Sequence, residues 1–139
     1  MRIMAIDYGD ARIGLAVSDL TGLICGEAWT MQEWNMERAS LRITEEARLR
    51  DVGTLVLGLP KNMDGTEGES ALNVRAFSEI LQTVTGLPVV LQDERGTTVT
   101  AYGYLDRTNT YGKKRKAIVD SVAAVIILED YLRYRRNGL

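Results

Sequence analysis

Arg2-Ile3-Met4-Ala5-Ile6-Asp7-Tyr8-Gly9-Asp10-Ala11-Arg12-Ile13-Gly14-Leu15-Ala16-Val17-Ser18 has the form of a β-hairpin. An apolar run from Ile3 to Ile6 stops at a carboxylate, Asp7. Gly9 and Gly14 bracket a tight reversal, and a second apolar run, Ile13 to Val17, leads away. The pattern predicts a first strand that presents Asp7 at its end. Turns carry Asp and Gly for backbone reasons alone. Asp10, inside the turn and followed by Ala11-Arg12, fits that account. Asp7 precedes the turn and directly follows four strand residues, so a catalytic or metal-binding role stands beside the turn-acid reading.

Outward from the hairpin, Leu23 to Met31 reads as a third strand, with Gly22 and Asn35 as punctuation. From Asn35 to about Asp51, the spacing of Met36, Ala39, Ile43 and Ala47 predicts an amphipathic helix. Thr54 to Leu57 is a short strand without polar alternation, closed by Gly58-Leu59-Pro60; such a strand is buried on both faces and therefore parallel. After the polar, glycine-rich loop Lys61–Gly68, Val74, Phe77, Leu81 and Val84 form one helical stripe that Gly86-Leu87-Pro88 ends. Val89 to Gln92 is the last strand and stops at Asp93-Glu94-Arg95. Thr97 or Thr98 caps a short helix with Val99, Tyr102 and Leu105, which Gly103 weakens by about 1 kcal/mol relative to Ala. Residues 106–112 are turn-rich and read as mobile. A long helix then runs from the basic cluster to about Arg136, apolar on nearly all sides between Ile118 and Leu128, the pattern of a buried helix. Three antiparallel strands followed by two crossovers give an α/β domain spanning residues 1–139. Its expected form is ribonuclease H-like, a mixed five-stranded sheet with helices on both faces.

Composition narrows the chemistry. The chain of 139 residues is 45% apolar and 26% charged, ordinary for one globular domain. A single cysteine, Cys25, rules out an intrachain disulfide and suits a reducing compartment; its place in Leu23-Ile24-Cys25 predicts buried packing. No apolar run approaches the ~20 residues of a membrane span, and Asp7 and Asp10 interrupt any leader, so a cytoplasmic location is expected. There is no histidine, which excludes His-based triads and His-ligated zinc. The net charge of −2 hides an asymmetry: Lys113-Lys114-Arg115-Lys116 is a compact basic cluster, and Arg133, Arg135 and Arg136 crowd the C-terminus. Such a run is ordinarily a solvated helix start; beside an active site it becomes a phosphate-contacting surface.

Three acids stand where folding alone does not call for them. Asp7 ends the first strand, Glu94 ends the fifth, and Asp120 lies in the apolar stretch Ala117-Ile118-Val119-Asp120-Ser121-Val122. A carboxylate in apolar company needs a cation or takes up a proton. For Asp120 a buried salt bridge, or a first-turn acid facing the helix dipole, is the structural alternative. In the expected topology the first and fifth strands are separated only by the fourth, about 10 Å. Gly58 has no side chain to fill that gap, so Glu94 can lean toward Asp7 while the last helix delivers Asp120. Three converging carboxylates without histidine make a hard, oxygen-rich site suited to Mg²⁺ or Mn²⁺. Two such ions ~4 Å apart, bridged by Asp7 with Asp120 and Glu94 each holding one, suit in-line phosphodiester hydrolysis.

The sequence resembles the YqgF (RuvX-like) family, described as pre-16S ribosomal RNA nucleases and Holliday junction resolvase-like proteins. The resemblance is carried by Asp7-Tyr8-Gly9 with Arg12-Ile13-Gly14-Leu15-Ala16, Gly58-Leu59-Pro60 with Asp64-Gly65-Thr66-Glu67-Gly68, Asp93-Glu94-Arg95 with Thr97-Thr98, and Lys116 with Asp120-Ser121 and Ala123-Ala124. These segments occur in family order across nearly the whole chain. The resemblance implies a ribonuclease H-like fold, divalent-metal-dependent cleavage of structured nucleic acid, and Asp7, Glu94 and Asp120 as the acidic centre. The expected substrate is the 5′ end of precursor 16S rRNA in ribosome biogenesis; a Holliday junction in branched DNA is the alternative, and a non-catalytic nucleic-acid-binding module the second. Gly96 and Gly103 depart from the family pattern and are expected to loosen the helix behind Glu94.

Around the acids, Lys61, Thr66 and the backbone of the 58–68 loop are candidates to cradle a phosphate. Arg12 and Arg95 either pair with a carboxylate or contact the substrate. Lys113, Lys114, Arg115 and Lys116 form the candidate surface for the nucleic-acid backbone. Trp29 and Trp34 read as packing residues. Sugar kinases and actin-like ATPases share the opening motif but need a second domain, for which 139 residues leave no room. Symmetric cleavage of a junction requires a homodimer, for which no stretch identifies an interface.

Overall fold

The computed structural model describes the backbone of residues 1–94 and 112–138, with side chains described for 1–94 and 121–137. Five strands and three helices are described: β1 (Arg2–Tyr8), β2 (Arg12–Ser18), β3 (Cys25–Gln32), α1 (Met36–Leu49), β4 (Val52–Pro60), α2 (Glu69–Thr85), β5 (Val89–Glu94) and α3 (Gly112–Gly138). The strands form one sheet in the order β3-β2-β1-β4-β5. β1 pairs antiparallel with β2, and β2 with β3; β4 runs parallel to both β1 and β5. This is the mixed five-stranded sheet that the hairpin and the two crossovers predict.

Side-chain alternation sorts the core into two layers. On one face Met4, Ile6, Ile13, Leu15, Leu55 and Leu57 pack against Ile43 of α1 and Val74, Phe77 and Leu81 of α2. On the other face Ile3, Ala5, Ala16 and Val56 pack against Ala124, Ile127, Leu128 and Leu132 of α3. The small alanines on this second face let a single helix approach the sheet closely. The helices begin and end where local chemistry directs. The Asn35 side-chain oxygen accepts from the Arg38 N–H at 2.8 Å and caps α1, while Gly86, left-handed at φ +69°, closes α2 by donating to the Gln82 carbonyl at 3.0 Å.

Several boundaries move. β3 starts at Cys25 rather than Leu23, because Asp19 organises a turn before it. The Asp19 carboxylate accepts from the Thr21 hydroxyl and the Leu23 N–H, its own N–H donates to the Ile24 carbonyl at 2.9 Å, and Leu23 and Ile24 are exposed. β4 and β5 run further than the apolar residues suggest, to Pro60 and Glu94, since ladder pairing continues through Gly58↔Gln92 and Leu59↔Asp93 to Pro60↔Glu94. Val84 falls off the buried stripe of α2 and is exposed. α3 is not fully buried all round: Ala123, Ala124, Ile127 and Leu128 are buried, whereas Val122, Val125 and Ile126 are only partly buried. Cys25 is half-buried beside the α3 layer, and burial pushes its thiol pKa up. The expected short helix through Val99, Tyr102 and Leu105 lies outside the described residues. So does the turn-rich segment, apart from Gly112, which opens α3. Among the described residues no helix is long and apolar enough to cross a membrane.

Candidate active site

Asp7 follows the parity of Ile3 and Ala5, so β1 projects it onto the face that α3 covers, while its neighbours Ile6 and Tyr8 pack on the other layer. Tyr8 stacks on Phe77 with ring centroids 4.1 Å apart and planes 16° from parallel, which fixes the strand end just beyond Asp7. Burial, with Asp10 nearby, holds the Tyr8 hydroxyl above its ordinary pKa. Asp7 is directly cross-strand from Gly14 on β2. On the other side Ile6 pairs with Leu57, so Gly58 is the next residue along β4. Asp7 therefore stands cross-strand from Gly14 and level with Gly58.

Gly58 is required by close packing. A Cβ there would lie 2.5 Å from Cδ1 and 3.1 Å from Cγ1 of Ile127, and 3.4 Å from Cγ of Glu94. The gap admits the helix residue Ile127 and the stem of Glu94 together. Glu94 follows the parity of Val90, which packs with the α3 layer, and only 9% of it is exposed. Its stem thus lies against Gly58 of β4. Asp7 and Glu94 arise two strand spacings apart, roughly 10 Å. Asp120 is described by its backbone alone. It occupies the α3 position seven residues before Ile127, about 10 Å further along the helix at 1.5 Å per residue. The C-terminal end of α3 lies near Met1, with Leu132, Arg135 and Met1 lining one cavity of about 340 Å³. α3 consequently enters from the carboxyl end of β1, where Asp7 is.

Among the described residues no group of three or more acids, thiols or imidazoles assembles; the described side chains supply two carboxylates, Asp7 and Glu94. The fit to a hard divalent ion rests on donor chemistry and shape. Two carboxylates from parallel strands on either side of β4 share one face, the chain lacks histidine, and Gly58 between them leaves room for the Glu94 stem beside Ile127.

The other candidates separate. Arg12 opens β2 at the same edge, and its carbonyl accepts from Gly9 N–H at 3.1 Å; a Cβ on Gly9 would lie 2.7 Å from that carbonyl, so this tight turn needs glycine. Lys61 extends the pairing of β4 with β5 through its N–H to the Glu94 carbonyl at 3.3 Å, and its ammonium lies 3.7 Å from Asp93. Thr66 is committed within its own loop: its hydroxyl donates to Asp64 at 2.7 Å and accepts from Asn62 at 2.8 Å. Backbone N–H groups of Asn62, Gly65 and Thr66 also donate inside the loop. A two-pronged pair, Glu67 to Arg75 at 2.7 and 2.8 Å, ties the loop to α2. The loop is thus tied together by its own hydrogen bonds, with the Asn62, Gly65 and Thr66 N–H groups committed inside it. Arg95, Gly96 and Gly103 lie outside the described residues, and Lys113, Lys114, Arg115 and Lys116 are described only as the helical first turns of α3.

The packing assignment holds for one tryptophan and fails for the other. Trp29 is partly buried, with the Arg50 guanidinium 4.2 Å above its ring. Trp34 is 71% exposed. The residues around it, Gln32-Glu33-Trp34-Asn35, are polar, and that was the available signal that no core reaches this position.

The RuvX family model, described as Holliday junction resolvase, matches residues 1–134. A protein of Thermoanaerobacter pseudethanolicus named "Putative pre-16S rRNA nuclease" is 40% identical over 138 residues, covering 99% of each chain. One of the same name from Moorella thermoacetica is 41% identical over the full length of both. Among solved structures, Thermus thermophilus RuvC in complex with a Holliday junction substrate superposes with a TM-score of 0.59 at 14% identity, covering 99% of this chain and 96% of that one, a likeness of fold. With the sheet order, the paired strand-end acids and a family match over nearly its whole length, the chain belongs to the RuvX family.

Proposed function

We propose that this chain is a divalent-metal-dependent nuclease that hydrolyses phosphodiester bonds in structured nucleic acid, with the 5′ end of precursor 16S rRNA as its substrate. The observation that carries the reading is the pair Asp7 and Glu94, brought to one face over the glycine gap at position 58. The names of full-length relatives at about 40% identity support the RNA substrate. The family description supports a second reading, a resolvase acting on four-way DNA junctions, for which a homodimer supplies the two symmetric cuts. A non-catalytic binding module would have no use for two carboxylates sharing one buried face. The RNA substrate places the chain in the cytoplasm.

Asp7, Glu94 and Asp120 would hold the metal, Mg²⁺ or Mn²⁺, as a pair of ions. When bound, such ions neutralise the scissile phosphate and make water a stronger nucleophile. Asp7 ends β1 level with Gly58, while Glu94 is fixed by burial and by the wall that Ile127 forms. Lys61 exchanges its Asp93 partner for a substrate phosphate. Arg12 and Arg95 orient the strand beside the cut, Thr66 shapes the loop at the same edge, and Lys113–Lys116 hold the backbone further out. Cleavage of precursor rRNA ends and of four-way junctions, each with and without Mn²⁺, tests the reading: metal-dependent cutting of the RNA supports it, and cutting of junctions alone selects the resolvase.

A further inference from the structure

Trp34 is 71% exposed although the chain around it is held rigidly. Glu33 N–H donates to the Ala11 carbonyl at 3.0 Å, joining this segment to the β1–β2 turn. The Glu33 carboxylate, only 10% exposed, accepts from Asn35 N–H at 3.1 Å, Arg38 Nε at 3.2 Å and Arg42 Nη1 at 3.4 Å. Asn35 in turn caps α1. These contacts hold the Glu33 carboxylate below its ordinary range, the Asn35 N–H contributing most. A tryptophan just before a helix cap ordinarily staples the entry by packing on the first turn, which would cover it. Trp34 does not, and at that exposure it contributes little to the core.

Its place gives it a use. β3 runs parallel to β1, so Trp34 lies beyond the same sheet edge as Asp7. The register Asp7↔Gly14 and Gly14↔Thr30 puts it two strands across and four residues further on, on the order of 15 Å from Asp7 by strand spacing and rise. Arg12, cross-strand from Gln32, stands between them. A large aromatic face on a preorganised junction, beside a basic residue and a nucleolytic edge, is a stacking platform for an unpaired base. We propose that Trp34 stacks on an unpaired nucleotide of the substrate a few residues from the scissile phosphate, so that the enzyme requires a single-stranded segment next to its cut. The rigid backbone lowers the ordering cost of this contact. The inference rests on the nucleic-acid reading above.

The test uses the full chain carrying Asp7→Asn, titrated into labelled single-stranded RNA and followed both by label anisotropy and by tryptophan emission. Trp34→Ala should raise Kd about tenfold, within the range for loss of one base stack. Trp34→Phe should recover most of that loss, and the slope of binding against salt should not change, because no phosphate contact is removed. RNA should quench emission in Trp29→Phe, where Trp34 alone reports, and not in Trp34→Phe. Binding that is equally tight in Trp34→Ala, with no quenching in Trp29→Phe, overturns the assignment while leaving the nuclease reading intact. Single-stranded RNA that binds none of these chains also overturns the assignment, while cleavage of precursor rRNA ends or four-way junctions decides the nuclease reading separately.

Discussion

Gly58 is where one residue matters most to the arrangement, because two side chains, Ile127 and Glu94, meet over it. An added Cβ would lie 2.5 Å from the Ile127 Cδ1 methyl, too close to stand. Overpacking of this kind costs about 1–3 kcal/mol, so Gly58→Ala should lower the denaturation midpoint in urea. Ile127→Val removes the clashing methyl at its own cost of about 0.5–1.5 kcal/mol. The double variant should be more stable than the sum of the two losses predicts, and strict additivity would show that Ile127 does not fill this gap. The acids themselves were legible because Asp7 and Glu94 end apolar strands. Trp34 was misread, because a tryptophan by itself reads as core and only its polar neighbours Gln32, Glu33 and Asn35 say otherwise.

Among the elements, α1 depends on its cap and the 62–68 loop on internal hydrogen bonds. Asn35→Ala should destabilise the protein by about 1 kcal/mol, measured by chemical denaturation. Hydrogen exchange should rise locally in the loop of Thr66→Val, which loses both side-chain bonds to Asp64 and Asn62, without change in the core. The Arg75 guanidinium holds the Glu67 carboxyl below its ordinary range, and Asp19 and Glu33 are lowered in the same way by their own donors. A lowered folded-state pKa adds stability above the unfolded carboxylate range and loses it as pH falls through the folded value. Thermal stability should thus decline on acidification, and less steeply in Glu67→Gln; an identical acid limb in that variant would assign the loss to other groups. Element order and type followed from apolar periodicity. The extra length of β4 and β5 did not, since Gly58 and Pro60 read as breakers and only cross-strand pairing carries the ladder through them.

At the scale of the molecule, the sheet divides labour between its faces. α1 and α2 seal one layer, and α3 crosses the other from the edge where Asp7 ends β1. The topology was legible because a hairpin followed by crossovers leaves few arrangements. Only partial burial of α3 was not, since an all-round apolar helix signals burial without saying how much cover the fold supplies. The basic turns that open α3 stand at the substrate edge in this scheme. Replacing Lys113, Lys114, Arg115 and Lys116 by Gln should weaken binding to all sequences alike and flatten the dependence of log Kd on log salt by up to ~0.7–0.9 per lost phosphate contact. An unchanged slope would remove this cluster from the interface.

The central claim is that Asp7, Glu94 and Asp120 form one divalent-metal site that cuts nucleic acid, and Asp7→Asn tests it most directly. Cleavage of precursor 16S rRNA should require Mg²⁺ or Mn²⁺ in the unaltered chain. In the variant it should fall by roughly 10²-fold or more, the scale of losing one preorganised charge-stabilising group, with the fold intact by circular dichroism. Full metal-dependent cleavage by folded Asp7→Asn would contradict the claim.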